Sequence, residues 1–230
     1  MSAWIHVMPP HTDTTVRNVR RDFPEWHLGR PHYVLWALDV DVAPVRERMA
    51  LAQYHLSGLL LDDYVREPHV TLSLCGFPSA SPLHDDDFGV TLLKGQIDAL
   101  RRLAPEPFTI EIGALDGFTS APYLTVHDPE ARIATLRTCL QPPAHPLARD
   151  NYTPHVTTGL YDGSWPLDAV RARLAEFNPG APLRLQISRL SLFGYAAPVI
   201  GGRLTRIADY DFTTQTLNGH ETGILPFPLP

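Results

Sequence analysis

Cysteine is nearly absent from this chain. Cys75 and Cys139 are the only two in 230 residues, too few for a disulfide framework, and their scarcity points to a reducing, cytoplasmic setting. No apolar run approaches the roughly 20 residues that cross a bilayer. Met1 to Pro10 lack the basic segment and apolar stretch of a secretory leader, so none is expected. Positive charge is in deficit as well: 19 Lys and Arg against 25 Asp and Glu leave a net charge of -6. That balance disfavours a stable complex with long nucleic acid, which needs many cationic phosphate contacts, and suits a small nucleotide or an RNA 3′ end better. Metal-ligand spacing is lacking too. His32, His84, His127 and His145 match no familiar pattern, so no metal or other cofactor is expected.

What is present is an ordinary folding composition, 44% hydrophobic and 19% charged, with 23 prolines that predict many loops. Residues 1–31 read as an N-terminal extension with Trp26 and a few arginines, 32–212 as the main domain, and 213–230 as a C-terminal tail. Tyr33 to Leu38 reads as a buried strand. Pro44 to Leu61 reads as a helix, with Val45, Met49, Ala52 and Leu56 at helical spacing. A strand over Val70 to Leu74 and a helix over Val90 to Leu103 follow. The loop between them holds Asp85, Asp86 and Asp87, read as solvated carboxylates ahead of a helix N-terminus. Phe108 to Leu115 alternates as a strand.

The order then begins again. Tyr123 to Asp128 can be laid over Val34 to Asp39, and a helix over Pro129 to Leu140 follows. After a second short strand come a helix over Leu167 to Phe177 and a long strand over Leu183 to Tyr195, matched to Phe108 to Phe118. A last strand spans about Arg203 to Phe212. Two such halves can pack about a pseudo-twofold axis.

The repeat carries its chemistry at one place in each half: Pro68-His69-Val70-Thr71 and, 86 residues later, Pro154-His155-Val156-Thr157. Strand alternation turns a histidine and a threonine two apart to the same face. Two such strands together would aim two imidazoles and two hydroxyls into one groove. Histidine titrates near neutrality, so one ring can accept a proton while the other donates one. A threonine hydroxyl two residues away can hold a phosphoryl oxygen. One such motif alone would more often be structural; two in matching surroundings point to phosphodiester chemistry. Cys75 reads as a buried thiol at a strand end rather than a nucleophile.

On these residues the chain resembles the 2H phosphoesterase superfamily, marked by paired His-x-Thr/Ser-x motifs, and within it the bacterial 2′-5′ RNA ligase-like group. His69 to Leu72 and His155 to Thr158 match the mark, and Leu74-Cys75-Gly76-Phe77 resembles the usual ending of the first motif strand. The resemblance implies an α+β, bilobal fold with antiparallel sheets lining a central groove and helices outside. It implies metal-independent phosphodiesterase action on 2′,3′-cyclic phosphates, 2′-5′ linkages or related cyclic nucleotides. His69 and His155 would be acid and base, with Thr71 and Thr157 on the non-bridging oxygens. Thr158 departs from the aliphatic residue usual there, but should face away from the groove.

Tyr123, Tyr161 and Trp36 lie on or beside the motif strands, where each either stacks a substrate base or fills core. Arg203 reads as a surface residue rather than a phosphate ligand. The competing reading is a nucleotide-binding or sensing module without turnover, which two matched titrating residues disfavour. With no coiled coil or apolar stripe, a monomer is the default.

Overall fold

A computed structural model of the chain describes residues 13–141 and 152–230; His145 and residues 1–10 lie outside them. A short helix α1 (Pro24–His27) precedes β1 (His32–Asp39), α2 (Ala43–His55) and β2 (His69–Pro78). Then come β3 (Asp87–Phe88), α3 (Val90–Leu103), β4 (Phe108–Gly117), β5 (Pro122–His127), α4 (Arg132–Leu140) and β6 (His155–Thr157). The chain closes with α5 (Leu167–Ala175), β7 (Leu183–Ile187), β8 (Arg189–Ala196), β9 (Thr205–Asp211) and β10 (Thr216–Gly219). Among the described residues no helix is long and apolar enough to cross a membrane.

The strands form two sheets, ordered β10-β9-β8-β1-β2-β3 and β6-β5-β4-β7. The pairing is antiparallel apart from β2 with β3. The two orders correspond: β2-β1-β8-β9 repeats as β6-β5-β4-β7, each row beginning at a motif strand. Sequence halves and sheets do not coincide, however. The first half sends β4 into the second sheet beside β5, and the second half sends β8 into the first sheet beside β1.

β1 shows why it is central. Val34, Trp36 and Leu38 enter the main core, while Leu35 and Ala37 on its other face join Phe193 in a smaller cluster. A strand buried on both faces reads as a continuous apolar run. The helices contribute one stripe each: Leu93, Ile97 and Leu100 from α3, and Ile133, Leu136 and Leu140 from α4, at the spacing of one helical face. This α+β arrangement of two antiparallel-rich sheets with outer helices is the expected fold.

Several boundaries differ from the sequence reading, each for a local reason. The helix drawn to Leu61 ends at His55, and Gly58 then takes a positive φ of 83°. The helix drawn from Pro129 starts at Arg132, because Ala131 is left-handed and the Asp128 carboxylate accepts from the Ile133 N–H at 2.6 Å. The long strand over Leu183 to Tyr195 is two strands in different sheets. β7 alternates in burial as an edge strand, whereas β8 is buried between β1 and β9. Beyond Phe212 the chain turns back at Gln215, with a positive φ of 57°, and adds β10 to the first sheet.

Asp87 corrects the reading of the aspartate run as solvated. Its carboxylate is buried, accepting from the Leu83 and His84 N–H groups at 2.8 and 3.0 Å and from Arg30 at 2.8 Å. Asp86 meets the same guanidinium at 2.6 Å. The turn is fixed at Gly76, whose φ is 120°; a Cβ there would lie 2.2 Å from the Asp86 carbonyl oxygen.

Candidate active site

Each motif histidine is anchored the same way. His69 Nδ1 bonds the Glu67 carbonyl at 2.7 Å and His155 Nδ1 bonds the Thr153 carbonyl at 2.7 Å. A carbonyl only accepts, so in both rings the proton sits on Nδ1 and the neutral imidazole presents its lone pair at Nε2. The intervening Pro68 and Pro154 fix the bend that brings the carbonyl two residues back beneath the ring. Cross-strand pairing sets the rest: Asp39 lies opposite His69 and Ala37 opposite Thr71, as Thr125 lies opposite His155 and Tyr123 opposite Thr157. Among the described residues neither the Thr71 nor the Thr157 hydroxyl is hydrogen-bonded, so both are available to a ligand.

The motif strands β2 and β6 pack against one another, and each is braced from the other half. The Tyr152 hydroxyl, three residues ahead of His155, donates to the Thr71 carbonyl at 2.7 Å. Arg137 of α4 donates to the Leu72 carbonyl at 2.6 Å, its guanidinium lying 3.5 Å from the Tyr152 ring centroid. Reciprocally, Gln53 of α2 donates to the Thr158 carbonyl at 2.9 Å. The Arg137 bond falls on a bulge: Trp36 and Ala37 pair with Ser73 and Thr71, leaving Leu72 as the extra residue.

Surroundings tune the two rings. His69 is only 8% exposed. Burial, reinforced by the charges of Arg66 and His155 and opposed by the Glu67 carbonyl, pushes its pKa down from 6.5 to about 4. His155 is half-buried and is lowered as well, by burial and then by the Arg137 charge, against the Thr153 hydrogen bond. Both rings are therefore biased toward neutrality. Burial pushes the Cys75 thiol up to about 12, which disfavours its thiolate.

The aromatic residues divide. Tyr123 edges the site: its ring centroid is 5.3 Å from that of His155 and 4.3 Å from that of Phe118, and its hydroxyl donates to Asp116 at 3.2 Å. Phe118 meets His155 edge-on at 4.9 Å. It was missed from the sequence because it falls after the last alternating residue of β4. Trp36 and Tyr161, the other stacking candidates, are fully enclosed. Trp36 points into the main core, where its Nε1 donates to Gln96 at 2.8 Å, and Tyr161 is packed in the same core. Alternation along β1 gives Leu35 and Ala37 the face opposite to Trp36, and Tyr161 lies beyond β6, enclosed in the main core. Thr158 is buried and donates to the Pro122 carbonyl at 3.1 Å, away from the groove as anticipated. Arg203 is an exposed residue paired with Glu67 at 3.0 Å. Among the described residues no three His, Cys, Asp or Glu gather as a metal site.

A model of the 2′-5′ RNA ligase superfamily matches residues 39–198, a span that holds both motifs. The chain belongs to that superfamily. Its 2H phosphoesterase fold is shared with E. coli LigT: the structure of LigT complexed with 3′-AMP is 19% identical, with a TM-score of 0.54 over 80% of this chain and 98% of LigT. The apo form of LigT is 18% identical, with a TM-score of 0.50 over the same shares. Among curated proteins, none matches the chain in sequence. His69, Thr71, His155 and Thr157 all lie within the matched span.

Proposed function

We propose that the chain is a metal-independent phosphodiesterase that opens a 2′,3′-cyclic phosphate, or cleaves a 2′-5′ phosphodiester, of a nucleotide or RNA end. The observation that carries this reading is the matched anchoring of His69 and His155, which leaves one Nε2 free in each half of a paired motif. One Nε2 takes a proton from the attacking water as its oxygen bonds to phosphorus. The other, protonated, donates to the sugar oxygen as the P–O bond breaks, so a cyclic ester becomes a monoester and the proton count balances. Which ring accepts and which donates follows from which sugar oxygen leaves. Thr71 and Thr157 donate to the non-bridging oxygens, where negative charge concentrates. The bound phosphate favours the protonated imidazole that burial opposes in the empty groove. The nucleotide held in the E. coli LigT structure supports a nucleotide as the ligand class.

The test is a chelator-treated assay against 2′,3′-cyclic nucleotides and 2′-5′ and 3′-5′ dinucleotides, with His69→Ala and His155→Ala as controls. Turnover by wild type alone is expected. Silence across the panel with nucleotide still bound, or turnover abolished by chelator, would overturn the reading.

A further inference from the structure

Arg66 stands three residues ahead of His69. Its guanidinium lies 4.1 Å from the Tyr195 ring centroid, and its Nε donates to the Gly202 carbonyl at 3.0 Å. Among the described residues no carboxylate meets it. The adjacent Glu67 is turned instead to Arg203 at 3.0 Å and the Leu204 N–H at 2.7 Å. Arg30 is neutralised by Asp86 and Asp87, and Arg189 and Arg206 by Asp39; Arg137, also stacked on a tyrosine, is committed to the Leu72 carbonyl that braces the first motif strand. A cation stacked on an aromatic ring, pinned at one nitrogen and left without a counter-ion, is prepared for an anion that arrives with the ligand.

Its position separates it from the reacting phosphate. Ser191 pairs with Ala37, which pairs with Thr71, and Tyr195 lies four residues farther along β8. Strand geometry therefore sets Tyr195 about 13 Å along and about 10 Å across the sheet from Thr71. The guanidinium above Tyr195 is thus a contact separate from the Thr71 hydroxyl, not a second donor to the same phosphate oxygens. The cation still acts on the same groove, because its charge is one of those that depress His69.

We propose that Arg66, laid on Tyr195, is a subsite for a second, unreacting phosphate of the substrate, so that 5′-phosphorylated esters are taken in preference to those with a 5′-hydroxyl. The inference rests on the phosphodiesterase reading above and narrows its substrate class. A 5′-phosphate monoester and the 5′-linked phosphodiester of an RNA 3′ end share this chemistry.

The test compares kcat/KM for three 2′,3′-cyclic phosphates: a nucleoside with a 5′-hydroxyl, its 5′-phosphorylated form, and a dinucleotide. Wild type should favour the latter two, their ranking telling monoester from diester. Arg66→Ala should cut that preference about tenfold or more, the loss of one charged hydrogen bond, with Arg66→Lys partly restoring it. Equal losses on all three substrates, or an unchanged preference, would overturn the subsite. Calorimetry with a nucleoside 3′,5′-bisphosphate and a 3′-monophosphate needs no turnover. If wild type cleaves none of the esters yet binds the bisphosphate more tightly in an Arg66-dependent way, the subsite stands and the reaction reading fails. Equal affinities would sink the subsite whatever the turnover.

Discussion

The two motif strands make the same local contact in unlike settings. β2 is ten residues long, lies inside a six-stranded sheet and buries His69; β6 has three residues, forms the edge of a four-stranded sheet and leaves His155 half-open against Phe118 and Tyr123. What is conserved between the halves is the short range: proline, imidazole, a carbonyl two residues back, and a hydroxyl two residues on. What differs is the dielectric around the ring, which is the property that sets proton affinity. A duplicated motif can thus be geometrically symmetric and chemically unequal, as a reaction that needs an acid and a base requires.

The strongest attack on this comparison is to remove the rings one at a time. His69→Ala and His155→Ala should each lower kcat by about a hundredfold to ten-thousandfold while leaving the protein folded; a variant that kept most of its turnover would show that one half is scaffold. Thr71→Val and Thr157→Val should each lower kcat by about tenfold to a hundredfold through one charge-assisted hydrogen bond. Loss confined to KM would place the hydroxyls on the ground state instead.

Acidity sharpens the inequality. His69 titrates near 4 when folded and near 6.5 when unfolded. The stability this depressed value contributes is complete above pH 6.5 and is lost as pH falls toward 4, an order-of-magnitude effect of about 3 kcal/mol. Chemical denaturation from pH 7 to 4 should show that loss shrinking in His69→Ala, and shrinking less in His155→Ala, whose ring is less desolvated. The pH profile of kcat/KM should peak on the acid side of 6.5, because both rings are depressed in the free protein. A maximum above pH 7 would contradict it.

The smallest change probes the brace. Tyr152→Phe removes the hydroxyl that donates to Thr71 and should cost about 1 kcal/mol of stability and a severalfold loss in kcat. Unchanged kcat would mean that the motif strands keep their spacing without it.

The legible part of this molecule is what repeats or alternates. α3 runs from Val90 to Leu103 as its apolar spacing predicts, and both motif strands stand where proline, histidine and threonine announce them. The illegible part is set by partners distant in sequence. Nothing near Trp36 tells that its face of β1 is the core face, or that Asp87 will meet Arg30. Even the internal alignment slips: pairing makes Tyr123 the counterpart of Ala37, three residues from the match to Val34, an odd shift that exchanges the two faces. Arg66 carries no signal in the sequence at all, since its meaning lies in Tyr195 beneath it and in the carboxylate it lacks.

The exchange of β4 and β8 between the sheets has a consequence for the molecule as a heritable object. Each half completes the sheet of the other, so a break between β4 and β5 would give two fragments that each hold a motif strand and its neighbour but lack the next strand, β8 beside β1 and β4 beside β5. Neither imidazole could be kept, lost or transplanted as a module with its own sheet intact. The chain is a swapped pair whose partners share one backbone, and its groove exists only while both are present.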